Sequence, residues 1–145
     1  MMNEPSGTQF SKKHPADERP SDKVLEAVRQ KAKEGEMPCA VAFDIANQLK
    51  VEPSEVGFAV DYSEIRLVKC QLGLFGYKPQ KSIVKPADSV LPELEKAIRA
   101  RLKDGRLPCR EAWAIASEQG LRKMEVSSAC EVLGIKISNC QLGAF

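Results

Sequence analysis

The sequence predicts a mainly α-helical protein: two tandem three-helix units, each ending in a short β-strand, related by pseudo-two-fold symmetry. Three observations lead to this reading. The stretch from Gly35 to Phe75 aligns with the stretch from Gly105 to Phe145 at a constant offset of 70, without a gap. Such self-similarity marks a repeated supersecondary unit. Within each copy, apolar residues recur at helical spacing. Only one short run per copy, residues 65–70 and 135–140, is β-like.

The identities that fix the alignment include Gly35/Gly105, Pro38/Pro108, Cys39/Cys109, Ala42/Ala112, Ile45/Ile115, Ala46/Ala116, Val56/Val126, Ala59/Ala129 and Ile65/Ile135. Cys70-Gln71-Leu72-Gly73 recurs as Cys140-Gln141-Leu142-Gly143, Phe75 recurs as Phe145, and Phe43 is matched by Trp113.

The elements follow in order. Leu25, Val28 and Ala32 form the i, i+3, i+7 stripe of a first helix, with Asp22 as N-cap and Gly35 at its end. In the second copy Asp88 or Ser89 caps the helix. Leu91, Leu94, Ile98 and Leu102 form its stripe, and Gly105 closes it. The Gly-x-x-Pro link places Pro38 or Pro108 at the first position of helix two. That helix carries Ala42, Ile45, Ala46 and Leu49, or Ala112, Trp113, Ile115 and Ala116. Pro53 starts helix three of the first copy, and the β-like run ends each unit.

Residues 1–21 hold three prolines, balanced charges and a lone apolar Phe10, and are expected to be a disordered tail. Residues 22–77 form the first unit and residues 88–145 the second. Residues 78–87, with two prolines and Lys78, Lys81 and Lys85, form the linker. A unit of about 55 residues buries too little surface to be secure alone, so the two are expected to share a core. The second copy stops at Phe145 without a return strand. The expected solution pairs the two Cys-Gln-Leu-Gly strands about the pseudo-two-fold axis, covering an edge left open otherwise.

The chain has 22 basic and 20 acidic residues, net +2, so global charge does not mark a nucleic-acid or membrane-surface binder. No apolar run approaches the 18–20 or so residues of a membrane span, and the N-terminus lacks the pattern of a secretory signal. A cytoplasmic location is the expectation. The single histidine, His14, lies in the polar tail, which leaves little room for histidine-based catalysis or a His-rich metal site. There is no glycine-rich phosphate loop, Ser/His/Asp set or Cys/His pair, so the sequence does not read as an enzyme.

Ala116, Gly120, Leu121 and Val126 carry a further signal. They stand at the spacing of a small mid-helix residue, a turn residue, an apolar residue and a β-branched anchor. Ala46, Lys50, Val51 and Val56 repeat it, with Lys50 in place of the preferred glycine. This spacing resembles a helix-turn-helix, and with the preceding helix and trailing strand each unit resembles a trimmed winged helix. The resemblance covers about residues 22–75 and 88–145 and implies a DNA-binding, transcription-regulating module.

In such a module the start of helix three enters the major groove. The first copy presents Glu52, Pro53, Ser54 and Glu55 there, which phosphates repel. The second presents Arg122 and Lys123, then Ser127 and Ser128. Residues 22–77 carry 7 basic and 9 acidic groups, and residues 78–145 carry 12 and 8. The expected nucleic-acid contacts are therefore Arg122, Lys123, Ser127 and Ser128 with Lys78, Lys81 and Lys85. For the remaining basic residues, Lys96, Arg99, Arg101, Lys103, Arg106 and Arg110, a solvated helix face is the competing reading.

Four of the five cysteines fall at equivalent positions: Cys39 and Cys109 open helix two, and Cys70 and Cys140 sit in the strand. The favoured reading is small buried hydrophobes, with no cofactor. A zinc or iron–sulfur thiolate site on Cys39, Cys70, Cys109 and Cys140 competes with it, without a C-x-x-C element. Disulfides are disfavoured in a reducing compartment. The functional expectation is a DNA-binding regulatory protein. The alternatives are a protein-interaction adaptor and a metal- or redox-sensing thiol protein.

Overall fold

The computed structural model describes residues 19–79 and 81–145. These form two compact units. One holds the described chain up to Val68 together with Leu142–Ala144, and the other holds Lys69–Gln141 with Phe145. Residues 1–18, the bulk of the expected tail, lie outside the described residues. From Arg19 the chain is ordered into the fold: Pro20 is buried, and the Ser21 hydroxyl accepts from Val24 N–H at 3.3 Å. Ser21, one residue before the expected Asp22, is thus the N-cap.

The first unit contains α1 (Asp22–Lys31), β1 (Glu36–Pro38), α2 (Cys39–Leu49), α3 (Pro53–Tyr62) and β2 (Arg66–Val68). α1 buries Val24, Leu25 and Val28, α2 buries Ala42, Ile45 and Ala46, and α3 buries Val56, Ala59 and Val60. Small alanines at the helix contacts let the axes approach closely. Met37, Leu67 and Leu142 close this core from the strands and the C-terminal segment.

The second unit contains α4 (Pro92–Ala100), β3 (Leu107–Pro108), α5 (Cys109–Gln119), α6 (Lys123–Leu133) and β4 (Ile137–Ser138). Leu94, Ile98, Leu107, Ala112, Ile115, Ala116, Val126, Ala129, Cys130 and Ile135 pack with Cys70 and Leu72. α4 starts at Pro92, with Leu91 and not Asp88 or Ser89 in the cap position. Proline lacks the N–H a cap would satisfy and presets the helical φ, so it defines the start. Leu91 is therefore left 66% exposed instead of joining the stripe.

The strands pair in parallel within each repeat: Met37 opposite Leu67, and Leu107 opposite Ile137. The expected pairing of the two Cys-Gln-Leu-Gly strands does not occur. The β-like runs end at Val68 and Ser138, and the cysteines open tight turns closed by Cys70 N–H to Phe75 O and Cys140 N–H to Phe145 O. Gly73 and Gly143, at φ 77° and 84°, make those turns sharp.

Two further expectations shift by a few residues. Pro38 and Pro108 are N-caps with extended backbone, so Cys39 and Cys109 take the first helical position. Gly35 and Gly105 do not end a helix. With Glu34 and Asp104 they form two-residue turns with φ positive at both positions, 53° and 77°, then 54° and 78°. That is the requirement of a type I′ hairpin turn, here bridging Lys33 to Glu36 and Lys103 to Arg106.

Candidate nucleic-acid interface

The α5–α6 pair is set by its turn. Gly120 takes the left-handed conformation (φ 67°, ψ 32°), and Leu121 N–H donates to Ala116 O at 2.8 Å, turning the chain within two residues. Arg122 follows as the exposed N-cap of α6, and its N–H donates to Glu125 Oε1 at 2.8 Å. Lys123 opens the helix with its Nζ 4.5 Å from the Trp113 ring centre. This cation–π contact holds the ammonium near the positive end of the helix dipole, so both basic side chains gather at the α6 N-terminus.

Ser127 and Ser128 part company. Ser127 is 1% exposed, and its hydroxyl donates to Leu72 O at 2.6 Å. A serine in that position cannot reach a base edge, so it leaves the expected contact set. Ser128 is half-buried, and its carbonyl accepts from Ala87 N–H at 3.1 Å. Met124, one turn before Ser128, lies against Gly73, whose added Cβ would stand 3.1 Å from the Met124 sulfur. The middle of α6 is thus covered by residues 70–76 and by the segment after them. Nothing local to α6 signals this cover, because the covering turn is remote along the chain.

Lys78, Lys81 and Lys85 are all exposed. The linker that carries all three is fastened down over its second half. Ile83 N–H, Val84 N–H and the Ser82 hydroxyl all donate to Gly73 O, at 2.9, 3.1 and 3.0 Å, before Ala87 reaches α6. Residues 82–87 therefore form a strap along α6, with Lys81 and Lys85 at its two ends. Other basic residues are engaged: Arg101 pairs with Glu118 at 2.6 Å and Glu111 at 3.7 Å, and Arg99 pairs with Glu95 at 2.8 Å.

In the first unit Lys50 adopts the left-handed turn expected of glycine (φ 57°, ψ 45°). The start of α3 exposes Ser54 and Glu55, while Val56 and Gly57 are buried. Phe58 is half-buried and meets Tyr62 edge-on at 6.3 Å.

All five cysteines are free thiols, and Cys39, Cys70, Cys109 and Cys130 are buried. Burial pushes the Cys70 thiol up, and pushes Cys109 and Cys130 up to about 11. N–H groups facing the sulfur oppose this at Cys109, where the Gln141 amide donates to Sγ at 3.7 Å. Protonated, desolvated thiols are poor nucleophiles. Among the described residues no three His, Cys, Asp or Glu side chains gather closely enough to hold a metal ion, although Cys70, Cys109 and Cys140 lie near enough for the charge of each to act on the others.

Comparison with protein-family models, with curated proteins and with solved structures finds no match. Among the described residues no helix is long and apolar enough to cross a membrane.

Proposed function

We propose that this chain is a nucleic-acid-binding regulatory module whose second unit grips the phosphate backbone and draws little sequence information from base edges. The observation that carries the reading is the Ala87–Ser128 hydrogen bond. It lays the lysine-bearing strap along the helix that begins with Arg122 and Lys123. Lys81, Lys85, Arg122 and Lys123 then form one cationic border around α6. Two or more fixed cations and a helix N-terminus are the elements that position a phosphate backbone. Ser127 is absent from this set because its hydroxyl is committed to Leu72. Arg122, at the uncovered start of α6, is what remains for base contact, since the strap meets the helix at Ser128.

A salt-dependent gel shift on generic duplex DNA tests the reading. Phosphate neutralisation makes log K fall linearly with log salt, by roughly 0.9 per phosphate contact. Four contacts predict a slope of about −3 to −4. Arg122→Glu with Lys123→Glu is expected to abolish the shift, and Lys81→Glu with Lys85→Glu to reduce it at least tenfold. Absence of any shift at low salt removes the proposal.

A second reading has its own support. The α6 positions that a groove-entering helix would present, Met124 and Ser127, are occupied by the protein's own Leu72-Gly73 turn. This favours an adaptor in which the helix-turn-helix face serves protein contacts. Folded, unsubstituted protein with no DNA affinity at low salt would select it.

A further inference from the structure

The second unit gathers thiols that the proposed function does not use. Cys70, Cys109 and Cys140 all belong to it, as do Phe75 and Phe145. Cys70 and Cys140 are equivalent residues of the two repeats. Each opens a tight turn that a phenylalanine closes, since Cys70 N–H donates to Phe75 O at 3.1 Å and Cys140 N–H to Phe145 O at 3.0 Å. The two phenylalanine rings meet edge-on, with 6.0 Å between their centres. The turns therefore touch at their closing residues, and the cysteines at their bases are brought close. Cys109 joins them from the start of α5. It shares a core with Cys70, and Gln141, the neighbour of Cys140, donates its side-chain amide to Cys109 Sγ at 3.7 Å. The charge of Cys140 acts on both other thiols, as it does only at short range.

The three thiols differ in access and surroundings. Cys70 and Cys109 are each 6% exposed, whereas Cys140 is half-buried. An oxidant arriving from solvent meets Cys140 first. Burial pushes the Cys70 thiol up, but the N–H groups of Leu74, Leu72 and Phe75 face its sulfur and favour the thiolate. Its turn is thus a small nest of donors around Sγ. Cys109, pushed up to about 11 by burial, has little thiolate at neutral pH. Cys70 is therefore the better second nucleophile.

We propose that Cys70 and Cys140 form a reversible disulfide when the protein meets hydrogen peroxide, and that this bond holds the turn on which the strap is seated. In the first step the Cys140 thiolate attacks one peroxide oxygen. An S–O bond forms, the O–O bond breaks, and the departing hydroxide takes up the thiol proton and leaves as water. In the second step the Cys70 thiolate attacks the sulfenic sulfur of Cys140. The S–S bond forms, the S–O bond breaks, and hydroxide leaves as water with the Cys70 proton. The two thiols together lose two electrons, and one peroxide is reduced to two waters. A thiol reductant reverses the bond by exchange.

The turn so fixed carries the strap. Gly73 O accepts from Ser82, Ile83 and Val84, and Leu72 O accepts from Ser127. Oxidation at Cys70 therefore reaches the segment that bears Lys81 and Lys85. The proposal stands whether or not the protein binds nucleic acid, because neither the bond nor its readout involves it.

Peptide mapping of the native full chain tests it, after hydrogen peroxide treatment and blocking of the remaining thiols with N-ethylmaleimide. A peptide pair joining Cys70 to Cys140 within one chain is expected, with both thiols recovered by dithiothreitol. Cys140→Ser, at a half-buried position, is expected to abolish the link, and Cys109→Ser to leave it. Ile83 and Val84 amides are expected to exchange at least about fivefold more slowly in the linked form than in the reduced form. A link from Cys140 to Cys109, a link between chains, or oxidation of Cys140 to the sulfinic acid with Cys70 still free overturns the pairing. Equal exchange at Ile83 and Val84 in the two forms overturns the coupling to the strap.

Discussion

The two halves of this protein run through the same order of elements, helix, strand, two helices and strand, with different side chains, and the differences show what that order requires. At the centre of α3 stands Gly57, and at the equivalent place in α6 stands Ser127. A Cβ on Gly57 would lie 1.8 Å from Leu142 O, so the leucine-glycine turn can come that close only because the side chain is absent. In α6 the same turn stands off far enough for a serine, whose hydroxyl holds Leu72 O at 2.6 Å. A mid-helix glycine costs about 1 kcal/mol against alanine. Close approach explains its presence in one copy, and a hydrogen bond replaces it in the other.

The left-handed positions make the same point. Lys50 and Glu64 hold φ 57° where the second unit has Gly120 and Gly134. Such a residue is strained by about 1–2 kcal/mol relative to glycine. The turn is therefore imposed by helix packing on both sides, and the first unit bears strain that the second avoids.

The largest expected effect is on the Gly57 contact. Gly57→Val forces backbone apart at Leu142 and is expected to destabilise the first unit by about 3 kcal/mol or more, measured by urea denaturation followed by circular dichroism. Ser127→Ala removes the hydroxyl that donates to the buried Leu72 carbonyl, for an expected loss of about 1–3 kcal/mol. The single tryptophan, Trp113, lies in α5 and reports on this unit by fluorescence. If both substitutions cost the same small amount, the contrast between close approach and hydrogen bonding is wrong.

The thiols sharpen the comparison through pH. Burial raises Cys109 from 9.0 to about 11 in the folded state. Its contribution is fully present below pH 9 and is lost as pH rises from 9 through 11, because the unfolded chain releases the proton first. Stability of the second unit is expected to fall by on the order of 2 kcal/mol across that window. Cys109→Ala should lessen the slope, leaving the part that buried Cys130 contributes over the same window, and an unchanged slope would remove Cys109 burial as a cause. The smallest effect is at the turns. Lys50→Gly is expected to stabilise by about 1 kcal/mol and Gly120→Lys to destabilise by a similar amount.

Much of the fold was legible. The helices of both copies were visible because their apolar spacing is local, and Pro53 marked the start of α3 because proline acts through its own φ. The errors were at boundaries and at contacts. Gly35 and Gly105 look like helix stops, yet with Glu34 and Asp104 they build hairpin turns, since either use needs only a positive φ. Leu91 fits the α4 stripe, but Pro92 starts the helix one residue later. In the candidate site, the place of Arg122 and Lys123 at a helix start is readable from the turn spacing before them. Ser127 was misplaced because its occupant, Leu72, is 55 residues away in sequence. The strap went unseen as a strap because its prolines and lysines have the composition of a spacer.

By itself the sequence determined the helices, their order and their recurrence every 70 residues, because propensity, capping and periodicity act within a few residues. Only the tertiary structure decided where the Cys-Gln-Leu-Gly turns lie, which serine is buried and which helix the lysine-bearing strap meets. Those outcomes depend on which distant carbonyl a donor meets, and such distances are set by packing and not by neighbours in the chain.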